Sequence, residues 1–219
     1  MLSTNRRRQL IRAASALRGL YAITDPILTP PDLIISKVEQ AVLGGAQIVQ
    51  YRDNTANKIA RQQQATALLE LCRDYYVPVV INNDVMLADA VGAQGVHLGL
   101  DDMPISEARA ILSEDVIIGA SCYNDFARAK RAYREGADYI AFGSFFPSLT
   151  KPEAVKADLD LLRCARRQFA VPICAIGGIT VDNAASLVDA GADLLAVIGN
   201  VFAGPEPDAA ARKFAALFE

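Results

Sequence analysis

A four-fold repeat of a Gly-Ala pair, a polar residue and a short apolar run constrains this chain more than any other feature. The copies lie 47, 44 and 55 residues apart (45 to 92, 92 to 136 and 136 to 191), and they begin at Gly45 (GAQIVQ), Gly92 (GAQGVH), Gly136 (GADYIA) and Gly191 (GADLLA). Each follows an amphipathic stretch, which indicates a helix that ends on glycine and then a buried strand. The spacing is too long for one strand–helix unit and about right for two. Four double units make eight strands, so the sequence predicts a (β/α)8 TIM barrel of the α/β class.

The length of 219 residues fits one barrel domain, which we expect over residues 19–219. Residues 1–18 form a separate extension with five arginines and no acidic residue. Such a stretch is typical of a transit peptide. The interpretation we favour is an extra N-terminal amphipathic helix that covers the barrel floor with Leu10, Ile11, Ala14 and Leu17.

Composition excludes several classes of protein. A net charge of −3 and a pI near 5.3 argue against a nucleic-acid or membrane-surface protein. No apolar run approaches the roughly 20 residues that span a bilayer. The four cysteines form no CxxC pair, which favours reduced thiols in the cytoplasm. The single histidine, His97, excludes a multi-histidine metal centre.

Eight short apolar runs are the predicted strands: Gly19–Thr24, Gln47–Gln50, Val79–Ile81, Gly95–Leu98, Val116–Gly119, Tyr139–Phe142, Pro172–Ile176 and Leu194–Ile198. Polar residues or glycines follow each of them. In a barrel the carboxyl ends of the strands meet at one mouth, so these residues are expected to form one site.

Two charged classes stand out among the strand-end residues. Arg52 and Lys151 suit anionic oxygens, whereas the acids and amides after strands three and four suit Mg²⁺. An anionic substrate carried with Mg²⁺ explains both. A structural alternative is that Asp84 and Asp101 cap the helices that follow them; we prefer it for Asp84 and leave it open for Asp101.

Three further features have two interpretations each. The Gly177-Gly178-Ile179-Thr180 turn is a phosphate-binding candidate because it precedes a helix after strand seven, although such turns also have purely steric roles. For His97 a hydrogen-bonded place inside the barrel is preferred over proton transfer. Phe145-Phe146 either stacks on a flat heterocycle or packs its own loop.

Several segments together resemble the thiamine phosphate synthase family. They are YAITD (Tyr21–Asp25), QYRDN (Gln50–Asn54), VHLGLDD (Val96–Asp102), IGAS (Ile118–Ser121), GADYIAFGSFFPSLTKP (Gly136–Pro152) and AIGGIT (Ala175–Thr180). The resemblance covers nearly all of residues 17–217, and the loop after strand six and the QxR segment are its most specific parts.

The resemblance implies a Mg²⁺-dependent cytoplasmic transferase that acts on small molecules. It joins hydroxymethyl-aminopyrimidine diphosphate to hydroxyethylthiazole phosphate and releases pyrophosphate, through a pyrimidine carbocation that needs no protein nucleophile. Neither nucleic acid nor a membrane is expected as a partner. Whether the protein forms a homo-oligomer is left undecided.

The resemblance also implies roles for individual residues. Arg52, Lys151 and Ser121 are expected to be catalytic, and Asn83 and Asp102 to bind the metal. The expected substrate-binding residues are Gln50, Tyr51, Arg52, Asp53, Asn54, Asn82, Ser121, Ser148, Leu149, Thr150, Lys151, Gly178, Ile198 and Gly199.

The chain departs from the family pattern at several positions. Asn54 stands where lysine is usual, and Asn83 stands where a metal-binding aspartate is usual. Leu100 replaces a glutamine, and Tyr123 replaces a histidine. Two alternatives follow. One is a thiazole tautomerase-like barrel, against which Tyr123 argues, and the other is a catalytically weak paralogue that binds thiamine intermediates.

Overall fold

Eight parallel strands close into a barrel in the computed structural model, which describes residues 17–55, 57–147 and 156–219. The strands pair in sequence order, and the first pairs with the eighth to close the sheet. They are β1 (Gly19–Ile23), β2 (Ala46–Tyr51), β3 (Val79–Asn82), β4 (Gly95–Leu98), β5 (Ile117–Tyr123), β6 (Tyr139–Phe142), β7 (Ile173–Ile176) and β8 (Leu194–Val197). The predicted (β/α)8 barrel is confirmed.

Helices follow the strands and cover the outside of the barrel. They are α1 (Ile34–Leu43), α2 (Lys58–Asp74), α3 (Val85–Val91), α4 (Ile105–Ile111), α5 (Phe126–Arg134), α6 (Leu159–Gln168), α7 (Val181–Asp189), α8 (Gly199–Phe202) and α9 (Pro207–Ala215), with a 3₁₀ turn at Ala216–Phe218. The predicted strand ends lie close to the observed ends except at β5, which we expected to stop at Gly119. The strand continues because Ser121 and Tyr123 still pair with β6 across a register shift, so Ser121 lies inside the strand.

The four-fold repeat has a physical explanation at the bottom of the barrel. Its glycines all have positive φ, between 67° at Gly92 and 105° at Gly191, which lets the chain turn from helix to strand. In three of the four copies, the polar residue that follows ties an even strand to the odd strand before it. Gln94 accepts the N–H of Val79 at 3.0 Å, and the carboxylates of Asp138 and Asp193 each accept a strand N–H at 2.8 Å. Because the polar residue serves a pair of strands, the repeat spans two strand–helix units.

Alternating side chains divide the apolar residues into two cores. Inward-facing residues such as Ile48, Val80 and Leu194 fill the barrel interior, and outward-facing residues such as Val49, Ile81 and Leu195 pack beneath the helices. The period of two along each strand produces this division. Polar side chains in the interior therefore stand out as candidates for function.

The chain enters the barrel at Leu17, whose side chain is buried with the interior residues. Arg18 donates to the carbonyl of Phe218 at 2.6 Å and lies over its ring, which joins the two ends of the domain. The predicted helical extension over residues 1–18 falls, apart from these two residues, outside the described residues. The division into residues 1–18 and 19–219 stays a prediction.

Candidate active site

The described site residues expected from the sequence lie in or just after the carboxyl ends of the strands, which all point to one rim because the sheet is parallel. Gln50 and Tyr51 are the last two residues of β2, Asn82 is the last residue of β3, and Ser121 is in β5. The remaining ones follow their strands: Arg52, Asp53, Asn54, Asn83, Asp102, Gly178, Ile198 and Gly199. Ser148, Leu149, Thr150 and Lys151 lie outside the described residues.

The last residue of β2 and the segment that follows it present their side chains in different directions. Tyr51 is buried in the outer core, where its hydroxyl donates to Gln64 at 3.1 Å, so its side chain points away from the mouth. Asp53 is also buried and accepts from the backbone and hydroxyl of Thr55, which shapes the turn. Any contact of Tyr51 with a ligand at the mouth is therefore a backbone contact.

Arg52 is held at the rim by residues that follow β1. Its backbone N–H donates to Thr24 Oγ1 at 2.8 Å, and its guanidinium lies 3.3 Å from Asp25 Oδ2. About a quarter of the Arg52 side chain is exposed. The pairing orients the cation while the exposed part remains available to an anion at the mouth.

Five polar side chains form a continuous chain of hydrogen bonds inside the barrel. Gln50 Nε2 donates to Tyr21 at 2.6 Å, and the hydroxyls of Tyr21 and Tyr139 are 2.8 Å apart. His97 contacts Tyr139 through Nδ1 and Ser121 through Nε2, each at 2.8 Å. The preferred interpretation of His97, a hydrogen-bonded interior histidine, is confirmed.

The environment of His97 keeps its ring neutral. Burial, and next the positive charge of Arg128, lower the pKa of His97 to about 4. Arg128 comes from α5 and donates through Nε to the carbonyl of Ser121 at 2.6 Å. The imidazole is therefore an uncharged hydrogen-bonding group at neutral pH.

A cavity of about 340 Å³ opens beside the end of β3. It is lined by Asn54, Arg61, Asn82, Asn83, Asp84, Val85, Met86 and Met103. Arg61 reaches it from α2 and lies 3.1 Å from Asp84 Oδ2, while its Nε has no hydrogen-bond partner among the described residues. Arg61 is a cation at the mouth that the sequence analysis did not identify.

The acids near β3 and β4 have different roles. Asp84 caps α3 by accepting the N–H of Leu87 at 2.9 Å, which confirms the capping interpretation. Asp101 does not cap a helix, since α4 begins after Pro104. Asp102 accepts the N–H of Gly99 at 2.5 Å through Oδ2.

Asp102 and Asn83 would supply only part of the oxygen ligands that a hard cation needs. Within the described part of the chain, no group of three or more His, Cys, Asp or Glu side chains is arranged to hold a metal ion. Asn83 is exposed at the mouth with φ of 64°. One carboxylate and one amide are oxygen ligands of the kind Mg²⁺ takes, and the rest of its shell would come from water and substrate phosphate.

The loops after β7 and β8 provide backbone N–H groups. Thr180 and Asn183 form a capping box at the start of α7, and Asn200 donates to the carbonyl of Ile179 at 2.8 Å, which joins the two loops. The short helix α8 begins at Gly199 with no side-chain cap. A Cβ built on Gly199 would meet nothing within 4 Å among the described residues, so there is open space beside this glycine at the start of the helix.

The glycines of the GGIT turn also have a steric role. A Cβ on Gly178 would collide with the carbonyls of Phe146 and Pro147, so the loop after β6 approaches this turn closely. Phe145 is buried in the outer core and Phe146 packs against it. Phe145 therefore packs its loop, and the stacking interpretation does not apply to it.

A closed barrel with polar groups gathered at the carboxyl ends of its strands is the architecture of barrel enzymes. The family model described as "Thiamine monophosphate synthase" matches residues 20–201. The thiamine-phosphate synthase of Thioalkalivibrio sulfidiphilus is 49% identical over 203 residues, which cover 93% of this chain and 96% of that protein. That of Methylobacillus flagellatus is 50% identical over 202 residues, covering 92% and 96%. The chain belongs to the thiamine-phosphate synthase family, whose members are transferases.

Solved structures agree with this assignment. Thiamine phosphate pyrophosphorylase from Pyrococcus furiosus superposes with a TM-score of 0.84 at 35% identity, covering 94% of this chain and 96% of that one. A 3-hexulose-6-phosphate synthase superposes with a TM-score of 0.73 at 18% identity, covering 92% and 100%, and shares the fold alone. No helix in the part of the chain that the structure describes is both long and apolar enough to cross a membrane.

Proposed function

We propose that this protein joins hydroxymethyl-aminopyrimidine diphosphate to hydroxyethylthiazole phosphate, giving thiamine phosphate and pyrophosphate. The observation that carries the proposal is the family match over residues 20–201, which covers all eight strands apart from Gly19 and every strand-end residue of the barrel mouth. We place the reaction in the cytoplasm, and whether the protein forms a homo-oligomer is left undecided.

The pyrimidine is proposed to bind between Gln50 and Ser121, with Asn82 beside it. These three residues come from β2, β5 and β3, whose carboxyl ends face the same rim. An amide and a hydroxyl are suited to the polar edge of a heterocycle, since each both donates and accepts hydrogen bonds.

The diphosphate is proposed to lie against Arg52, Arg61 and Lys151. The C–O bond to the diphosphate breaks first, and the thiazole nitrogen then attacks the ring-stabilised carbocation. Positive charge at the leaving group stabilises the transition state of such a step. Arg61 supplies a cation in the cavity that Asn54 lines, where the family pattern has a lysine.

This chemistry needs no protein nucleophile, although Ser121 lies 2.8 Å from His97 Nε2. A serine–histidine nucleophile needs a base oriented by a third group, usually a carboxylate that accepts from the other ring nitrogen. Here the group on Nδ1 is the hydroxyl of Tyr139. The pair therefore suits hydrogen bonding to substrate better than hydrolysis.

Mg²⁺ is proposed to bind through Asp102 and Asn83 together with the diphosphate. When bound, the ion would neutralise charge on the leaving diphosphate. Asp84 is a poorer ligand, because one oxygen caps α3 and the other pairs with Arg61.

The thiazole phosphate is proposed to lie in the cradle of Gly178, Ile198 and Gly199, with Ser148 and Thr150. The uncapped start of α8 and the open space at Gly199 support this placement, since backbone N–H groups at a helix start favour phosphate.

A turnover assay with both substrates and Mg²⁺ tests the proposal. We expect pyrophosphate and thiamine phosphate in equal amounts, and a higher Mg²⁺ requirement in Asp102→Asn. Asp115→Asn, in the loop before β5, is the control. Absence of turnover in the folded wild type would favour the weak paralogue, and conversion of a thiazole carboxylate phosphate would favour the tautomerase-like alternative.

A further inference from the structure

We propose that the interior hydrogen-bond chain fixes which end of the pyrimidine subsite accepts a hydrogen bond and which end donates one. The chain runs through Gln50, Tyr21, Tyr139, His97 and Ser121, with contacts of 2.6 to 2.8 Å. Tyr21, Tyr139 and His97 are positioning residues that act through the two ends. The inference rests on the proposed function, because it takes the ligand to be an aminopyrimidine.

The direction of the chain follows from counting hydrogens. Gln50 Nε2 donates to Tyr21, so the only hydroxyl hydrogen of Tyr21 is available to Tyr139. Tyr139 in turn donates to His97 Nδ1, which must then carry a lone pair. A neutral imidazole with a lone pair on Nδ1 has its hydrogen on Nε2 and donates to Ser121 Oγ. With Gln50 Nε2 facing Tyr21, the opposite direction would leave the buried Tyr21 hydrogen without an acceptor, which is costly. Reversing the hydrogen-bond chain requires the Gln50 amide to be turned over as well, so the position of the hydrogen on His97 distinguishes the two arrangements.

The barrel interior is built to hold this chain. Tyr21 and Tyr139 are buried almost completely, and burial raises the pKa of both phenols, so both stay protonated. The Cα of Gly119 is in register with both His97 and Tyr139 on the flanking strands. Its missing side chain leaves room for the Tyr139 ring. That ring stacks on the imidazole of His97 with the two centroids 5.6 Å apart.

The two ends then present opposite groups to the mouth. Gln50 has its Nε2 turned inward, which leaves Oε1 as an acceptor. Among the described residues, Oε1 has no hydrogen-bond partner. It is also accessible, because the one fully buried side-chain nitrogen or oxygen without a partner in the described residues is Arg61 Nε. Ser121 Oγ accepts from His97, which leaves its own hydrogen as a donor.

This pair matches the edge of an aminopyrimidine. The exocyclic amino group donates to Gln50 Oε1, and the neighbouring ring nitrogen accepts from Ser121. A pyrimidine with an oxo group and a ring N–H at the same places presents the reverse pattern and leaves both ends unpaired. Sites that hydrogen-bond their substrate in this way reject the mismatched analogue strongly.

The first experiment reads the imidazole directly in the full-length protein. Because the chain has one histidine, its ring signals in a ¹⁵N–¹H long-range correlation spectrum belong to His97. At pH 7 we expect a neutral ring with its hydrogen on Nε2. A ring with its hydrogen on Nδ1 overturns the proposal, and this measurement needs no variant.

The second experiment removes one hydroxyl group from the middle of the hydrogen-bond chain. Tyr139→Phe keeps the ring and deletes the hydroxyl, so the Nδ1–H form of His97 should become populated. We expect KM for the pyrimidine diphosphate to rise about tenfold, in line with the loss of one buried hydrogen bond, while KM for the thiazole phosphate is unchanged. Tyr75→Phe, which removes a surface hydroxyl bonded to Glu39, is the matched control.

The outcomes separate this inference from the proposed function. If Tyr139→Phe leaves both the His97 tautomer and KM for the pyrimidine diphosphate at wild-type values, the inference is wrong. The hydrogen-bond chain then does not set which end of the subsite donates and which accepts. If the wild type shows no turnover, calorimetry with the aminopyrimidine alcohol replaces kinetics. Weaker binding in Tyr139→Phe then supports the chain although the proposed reaction has failed, and unchanged binding overturns it.

Discussion

Gly119 has no side chain where the ring of Tyr139 lies. A Cβ built on Gly119 would overlap the Cζ, Cε1 and hydroxyl oxygen of that ring. The backbone of Gly119 does not have positive φ, so its requirement for glycine is one of space. The glycine of the IGAS segment therefore serves the hydrogen-bond chain on the neighbouring strands.

Gly119→Ala is expected to displace the Tyr139 ring and destabilise the fold by about 1–3 kcal/mol, the usual cost of overpacking. Urea unfolding measures the loss, and the histidine spectrum should report the broken chain. Gly204→Ala is the control, since a Cβ there meets nothing within 4 Å. Wild-type stability and an unchanged spectrum in Gly119→Ala would show that the barrel absorbs the extra methyl group.

Arg52→Ala is expected to lower kcat/KM by at least about a hundredfold, because a cation at the leaving diphosphate stabilises the transition state. Asp25 loses its ion-pair partner, but the pair is at the rim and its loss should cost little stability. Pyrophosphate release measures the effect. Arg163→Ala, which breaks an exposed pair with Asp160, should retain full activity.

Arg61→Met is expected to raise KM for the pyrimidine diphosphate about tenfold and leave KM for the thiazole phosphate unchanged. Methionine keeps the apolar stem and removes the charge from the cavity shared with Asn54. Arg212→Met, which breaks an exposed pair with Asp208, is the control. Equal KM values in Arg61→Met and wild type would mean that the diphosphate lies elsewhere.

The barrel and the rim residues were predictable from sequence because repeat spacing and strand-end position are local signals. Arg61 was not, since only the packing of α2 against the barrel brings a helical arginine into the mouth. Tyr21 and Tyr139 had a weak signal, as polar hydroxyls within apolar strands. Their contact was not predictable, because it crosses the barrel between residues 118 positions apart. Ser121 was expected after the end of β5 but lies within it, because pairing with β6 extends β5 beyond the apolar run.

The depressed pKa of His97 predicts a pH dependence of stability. The pKa is about 4 in the folded protein against an ordinary 6.5, so the unfolded chain binds the proton more readily between these values. The contribution, about 3 kcal/mol, is present in full above pH 6.5 and is lost as pH falls towards 4. Urea unfolding at pH 7, 6, 5 and 4.5 measures it. His97→Gln should flatten this slope, and an equal slope in both proteins would contradict the assignment.

Asn54 and Asn83 line the same cavity, together with Arg61, so changes at the two positions are expected to couple. Asn54→Lys alone adds a cation opposite a polyanion and should lower KM for the pyrimidine diphosphate. Asn83→Asp alone adds a carboxylate, the better ligand for a hard cation, and should lower the Mg²⁺ concentration needed for half-maximal activity. Asn83 has φ of 64°, a conformation that aspartate also tolerates, so this change should not strain the turn.

The double variant should have at least the activity of the parent, because the added charges are opposite and close together. Steady-state kinetics of the parent, the two single variants and the double variant form a cycle whose interaction free energy reports the coupling. Rescue of an inactive parent by the double change would support the weak-paralogue alternative. Identical kinetics in all four proteins would mean that neither position contacts the diphosphate or the metal, and the cavity beside β3 would then lie outside the active site.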